Sequence, residues 1–258
     1  VNPPKVAEYF LEHGEILATK SSLTGGDVFF YNEKTGMYED AEDLIAASTK
    51  FLLQDYFRDR HYKEVLANLK IASRKEKSFF ESPPANLVPV QNGLLNIDTH
   101  ELLPFSSEQF FTNKLPAAYD PAQDCPEIKK FFSQILPAED IPILFEIPGN
   151  CLLRDQRFQK AFLFVGEGSN GKSSYLELLK NFLGKENTTS WSLQALCNKD
   201  FIQAELFNKL ANIYADLPST RLATTGFFLT WIGGDQITAA RKYKLGLTFT
   251  GYAKLVFS

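Results

Sequence analysis

The segment Gly166-Glu167-Gly168-Ser169-Asn170-Gly171-Lys172-Ser173 constrains this chain more than any other stretch. It follows the apolar run Ala161-Phe162-Leu163-Phe164-Val165, whose length and composition predict a strand buried on both faces, as in a parallel sheet. After it, Tyr175-Leu176, Leu178-Leu179 and Phe182-Leu183 recur with helical spacing until Gly184 ends the pattern. Strand, glycine-rich loop and helix in this order form the context that a phosphate-binding loop needs. Glycines let the backbone bring its N–H groups onto phosphate oxygens, and the helix N-terminus adds positive potential. Lys172 can reach the β- and γ-phosphates, and the Ser173 hydroxyl suits a Mg²⁺ ligand. Gly166, Gly168, Ser169, Asn170, Gly171, Lys172, Ser173 and Ser174 are therefore expected to hold ATP, with Lys172 catalytic and Ser173 on Mg²⁺. A plain glycine-rich surface loop would leave Lys172 unexplained.

Such a loop works with an acid on a neighbouring strand that organises the metal. The run Leu210-Ala211-Asn212-Ile213-Tyr214-Ala215 predicts a strand, and Asp216 follows it, so Asp216 is the expected second Mg²⁺ ligand and catalytic acid. No second acid adjoins it, so the water-activating base is left unnamed and the catalytic role of Asp216 is to order the metal; Glu205, the second choice, reads as a surface helix charge.

Composition removes several classes. A net charge of −4 argues against coating nucleic acid with the whole surface, though a local basic track remains open. Cys125, Cys151 and Cys197 form no Cys-x-x-Cys pair and read as small buried apolar residues; His13, His61 and His100 have no metal-ligand spacing. No apolar run approaches the roughly 20 residues that cross a bilayer, so no membrane partner and a cytoplasmic setting, bacterial, archaeal or in a virus-infected host, are expected.

The remaining sequence sorts into short elements. Pro3-Pro4 open a helix that Ser22 to Gly26 breaks; Val28-Phe29-Phe30-Tyr31, the turn Asn32 to Gly36, and Met37-Tyr38 predict a hairpin. Leu44 to Phe57 and Tyr62 to Ile71 have amphipathic helical spacing. Leu87 to Val90, Gly93 to Ile97 and Leu102-Leu103 predict short strands, and Pro126 to Leu136 and Ala138 to Leu153 predict helices. The expected organisation is a mainly helical α+β region with small strand pairs over residues 1–155, with a linker at 75–85, and an α/β P-loop core, AAA+-like, over 156–258. The chain starts on Val1 and ends on the apolar run Lys254 to Ser258, so it is read as a piece of something longer, with the core incomplete at its C-terminus.

Several stretches together resemble the superfamily 3 helicase module of phage, plasmid and poxvirus-type primase-helicases. They are Asn92 to Ile97 with Leu103-Pro104-Phe105, Tyr119-Asp120-Pro121, Cys125-Pro126, Gly149 to Leu153, the loop Gly168 to Ser173, and Trp231-Ile232-Gly233-Gly234-Asp235 through Lys244. The resemblance covers roughly residues 85 to 258, and residues 28 to 60 look more faintly like the family's helical leader. It implies an ATP-dependent replicative DNA helicase that translocates on single-stranded DNA, assembled head to tail in a ring, hexameric when complete, with a primase domain in the same polypeptide. It also implies a polar sensor residue and an arginine acting on a neighbour's ATP, both expected beyond Ser258. Arg241, Lys242 and Lys244, with Tyr243 among them, are the DNA-binding candidates on this resemblance, since clustered cations contact phosphates and an aromatic ring stacks on a base. A solvated charge cluster is the alternative reading.

Two other functions fit the loop. A small-molecule kinase would share it but predicts an arginine-rich lid, which the sequence lacks. A DNA-binding or docking module ordered by nucleotide, without turnover, would account for the long N-terminal half.

Overall fold

Prolines at the first helical positions need no N–H partner there, and Pro3 and Pro4 start α1 (Pro3–His13), capped by the Asn2 side chain. The computed structural model describes residues 2–19, 26–76, 79–80, 84–241 and 244–258. Ser22, Lys242 and Tyr243, and residues 77, 78 and 81–83 of the expected linker, lie outside the described residues.

Contacts divide the chain into two units, residues 1–83 with 105–112, and residues 84–104 with 113–258. In the first, β1 (Ile16–Thr19), β2 (Val28–Asn32), β3 (Met37–Asp40) and β4 (Arg74–Lys75) form one sheet in the order β3-β2-β1-β4. The hairpin expected at residues 28–38 is present as β2 and β3, with Tyr31 paired to Tyr38 and β3 at the sheet edge. Leu17 belongs to β1 rather than to the first helix, which stops at Gly14. Helices α2 (Glu42–Leu53) and α3 (Asp59–Ala72) join α1. Their apolar faces bury Ala7, Ile45, Val65 and Leu69 with Ile16, Ala18 and Val28, each large side chain contributing about 1.5–3 kcal/mol. The small strand pairs of the sequence are thus one four-stranded sheet, because β4 pairs in parallel with β1 across a long sequence gap that periodicity does not reveal.

The second unit opens on an antiparallel meander, β5 (Leu87–Val90), β6 (Gly93–Asn96) and β7 (Leu102–Leu103), followed by α4 (Pro126–Ile135) and α5 (Ile141–Leu152). Next come β8 (Phe162–Leu163), α6 (Lys172–Leu183), β9 (Thr188–Thr189), α7 (Leu193–Asn198), α8 (Asp200–Gln203) and β10 (Ala211–Tyr214). The last elements are α9 (Gly226–Gly233), β11 (Gln236–Arg241), β12 (Lys244–Thr250) and β13 (Lys254–Phe257). Strands β8-β13-β10-β9 form a sheet in that order, every pairing parallel.

Domain limits differ from the boundary expected at 155. Val88, Leu115, Phe132, Leu144, Ile147 and Cys151 share one core with Leu176, Leu179, Leu183, Ile213 and Val256, so residues 84–104 and 113–155 belong with the sheet and α6. The unit limit instead falls at Pro83/Pro84, inside the expected linker. A second core, around Trp231, Phe249, Leu255 and Phe257, seats α9 and the β11–β12 hairpin. Strand β8 also departs from expectation. It is an edge strand, paired only with β13 among the described residues, and leaves Leu163 60% and Val165 84% exposed. Its apolar run is therefore not buried on both faces.

Candidate functional site at the carboxyl edge of the parallel sheet

Residues after β8 and β10 meet at the end of β13. Phe164 N donates to Phe257 O (2.9 Å), Ser258 N to Tyr214 O (3.2 Å), and Leu217 N to Ser258 O (2.7 Å). The loop that starts at Gly166 and the turn that holds Asp216 therefore leave the same carboxyl edge of the sheet. They are not on adjacent strands, as the sequence suggested: β13 lies between β8 and β10. Two strand steps put them roughly 10 Å apart at the sheet.

The loop is closed by its lysine. Lys172 Nζ donates to Gly166 O (2.9 Å), Glu167 O (2.9 Å) and Asn170 Oδ1 (2.7 Å). An ammonium has three N–H donors, and all three have acceptors here. Gly171 precedes α6 at φ 88, and a Cβ there would stand 2.5 Å from Ile135 Cγ2, so both backbone and neighbour require glycine. Gly166 is held differently, since a Cβ would stand 2.4 Å from Asn170 Nδ2. Ser169 takes φ 60. Ser173 and Ser174, in the first turn of α6, are exposed, and Gly168 borders open space.

Asp216 lies two residues past β10, exposed, at φ 58, a left-handed conformation that Asp tolerates better than most residues. Arg241 ends β11 and pairs directly with Lys244, the first residue of β12, at the tip of an antiparallel hairpin with a bulge between Ala239 and Arg241. Behind that tip Ile237, Ala239 and Phe249 are buried, and Thr238 and Thr248 share a hydroxyl hydrogen bond at 2.9 Å. Arg241 and Lys244 thus belong to the paired strands of a hairpin. Gly234, at φ 77, caps α9 through its N–H to Thr230 O and Trp231 O, which accounts for one of the paired glycines.

Sequence reasoning missed three residues. Asn212, fully buried in β10, accepts from Thr189 Oγ1 (3.0 Å) and Trp191 N (2.8 Å) and donates to Trp191 O (2.9 Å). A lone amide in the apolar strand Ala211-Asn212-Ile213-Tyr214 was the available signal. Gln194 Nε2 donates to Pro218 O (2.9 Å) and Thr220 O (3.2 Å). Lys254, 2% exposed at the start of β13, donates to Leu153 O (2.9 Å), Asp155 O (2.5 Å) and Tyr252 O (2.9 Å). Burial pushes its ammonium down to about 8, opposed by Cys151 and Asp155 and helped slightly by Arg157.

Residues 15–137 match the D5 N terminal like family. Residues 164–258, from the end of β8 onward, match a family of unknown function, designated DUF5906. No curated protein matches the chain. Solved structures similar to it include the apo structure of the NrS-1 C terminal region (305–718), with a TM-score of 0.60 at 15% identity over 99% of this chain. An A form of the same apo region gives a TM-score of 0.59 at 15% identity over 99% of this chain. Another A form (305–718) gives 0.59 at 16% over all of it. This chain spans 56% of the length of each. At such identities the likeness is one of fold. Among the described residues no helix is long and apolar enough to cross a membrane.

Proposed function

We propose that this chain is the nucleotide-binding part of a replication primase-helicase, in which ATP with Mg²⁺ drives movement along single-stranded DNA. The observation that carries the reading is the ammonium of Lys172, held by three oxygens inside a glycine loop between β8 and α6. A phosphate group offers three oxygens of greater negative charge, so it fits the same donors. The match of residues 15–137 to the D5 N terminal like family supports the replication assignment, and the parallel sheet supports an α/β P-loop core.

Mg²⁺, held by Ser173 and Asp216, would supply positive charge that offsets the charge developing on the phosphates. Around it, this chain's residues have separate tasks. Lys172 Nζ exchanges its loop acceptors for β- and γ-phosphate oxygens, with Gly166, Gly168, Ser169, Asn170, Gly171 and Ser174 lining the phosphates. The Ser173 hydroxyl, at the start of α6, and Asp216, at the carboxyl edge, would ligate the metal. Arg241 and Lys244, paired at the hairpin tip, with Lys242 between them in sequence, would contact the phosphates of one DNA strand. A head-to-tail ring, with a primase domain in the same polypeptide, completes the proposal; heterologous contacts close into rings when their rotation permits.

The test is ATP binding and hydrolysis with and without single-stranded DNA, comparing the chain with Lys172→Ala. Expected are nucleotide binding lost in the variant and turnover stimulated by DNA. Turnover that needs a metabolite acceptor would favour a small-molecule kinase. Binding of DNA with no turnover, even in the full polypeptide that contains this chain, would favour a docking module.

A further inference from the structure

Asp216 has left β10 and stands in a left-handed turn, so something beyond strand pairing must fix it. On one side Leu217 N donates to Ser258 O at 2.7 Å. On the other, Gln194 Nε2 bridges the carbonyls of Pro218 and Thr220. Gln194 can act as an anchor because α7 is itself anchored. Asn212 grips both the N–H and the C=O of Trp191, and the Ser192 side chain caps α7 by accepting from Ala195 N at 3.2 Å. The contacts make a closed circuit that runs from β10 through Asn212 to Trp191, along α7 to Gln194, and through residues 218–220 back to Asp216. Gln194 Oε1 is buried without a hydrogen bond among the described residues. Its amide is therefore turned so that the NH₂ group serves the two carbonyls, at the expense of its own acceptor.

We infer that Gln194 is a positioning residue: by holding Pro218 and Thr220, it keeps Asp216 presented to the divalent cation of a bound nucleoside triphosphate. This rests on the proposed nucleotide reading. The chemistry specifies the residue type, because two carbonyls need two donors on one side chain of this length. A Glu of the same shape would set a carboxylate against both oxygens.

The experiment compares wild type, Gln194→Ala, Gln194→Glu, Asp216→Asn and the Gln194→Ala/Asp216→Asn double variant. Amide hydrogen exchange at Leu217, whose N–H is held by Ser258 O beside the clamped carbonyls, reads the clamp without any ligand. Mg²⁺ titration of a fluorescent ATP analogue, against the same analogue in EDTA, reads the function. In both Gln194 variants the Leu217 amide should exchange about tenfold faster or more, since local opening governs protection. The Mg²⁺ concentration at half effect should rise by about tenfold, the loss typical when a group that orients a metal ligand is removed, while binding in EDTA stays unchanged. Asp216→Asn should shift the Mg²⁺ dependence at least as far, and the double variant should add nothing to it. Unchanged exchange in both Gln194 variants would overturn the clamp. Faster exchange with wild-type Mg²⁺ dependence would overturn its role toward the metal. Failure of wild type to bind the analogue at all refutes the nucleotide reading and the metal role together, and the exchange data separate that outcome from a missing clamp.

Discussion

Replacing Lys254 by Met should change how the stability of the second unit responds to pH. The Lys254 ammonium is pushed down from its ordinary 10.5 to about 8, chiefly by burial, with Cys151, Asp155 and Arg157 the charged or titratable groups acting on it. Between those two values the unfolded chain keeps a proton that the folded chain has released, so stability rises with pH. From pH 7 to pH 9 the linkage integral gives a gain of about 1 kcal/mol. Two thiols oppose it. Cys151, fully buried, is pushed up from 9.0 to about 12, and burial also raises Cys197, so both thiols ionise first in the unfolded chain and stability falls; by pH 9 that loss is a fraction of about 1 kcal/mol. Tyr38 and Tyr175, raised by burial above an ordinary 10.0, act at higher pH. Wild type should therefore gain stability between pH 7 and 9, while Lys254→Met loses it. Urea denaturation at half-unit pH steps measures both. Equal slopes in the two proteins would refute the argument, since they would mean that Lys254 does not titrate in this window.

Two further substitutions test the framework around the site. Asn212→Ala removes three hydrogen bonds and leaves the Trp191 N–H and C=O without their partner in a part-buried place; a loss of about 2–4 kcal/mol is expected at roughly 1 kcal/mol per bond plus partial desolvation, and a loss under about 1 kcal/mol in urea would show that the amide is not holding residues 189–191. Gly171→Ala must adopt φ 88 and push a methyl against Ile135; a destabilisation of about 1–3 kcal/mol is expected by thermal denaturation, and a wild-type melting temperature would show that the loop accommodates a side chain.

The loop, its flanking strand and the following helix were legible because they are local: Gly171, Lys172 and the 175–183 periodicity are adjacent in sequence. The same holds for the residue 28–38 hairpin and the 87–103 meander. What could not be read were relations set by distant pairing. β13 slips between β8 and β10 although it comes last in the chain, so Asp216 was expected one strand too close to the loop. Nor does the spacing of Val88, Phe132 or Cys151 reveal that they pack with Leu176 and Ile213. Leu163 and Val165 look like core residues by composition, yet Leu163 lies in an edge strand and Val165 beyond its end, and both are exposed. Gln194 was invisible because it acts on backbone carbonyls, which leave no mark in the sequence.

Lys172 and its three loop oxygens have a consequence for affinity, if the loop binds phosphate as proposed. The loop is held closed by its own cation as by a latch, so a phosphate would not fill a waiting vacancy but displace an intramolecular competitor. Apparent affinity is then the intrinsic affinity reduced by the fraction of molecules with the latch open. Selectivity follows from the same exchange: an anion that offers fewer than three oxygens to the ammonium leaves the latch partly closed, whereas a terminal phosphate can replace every bond that it breaks.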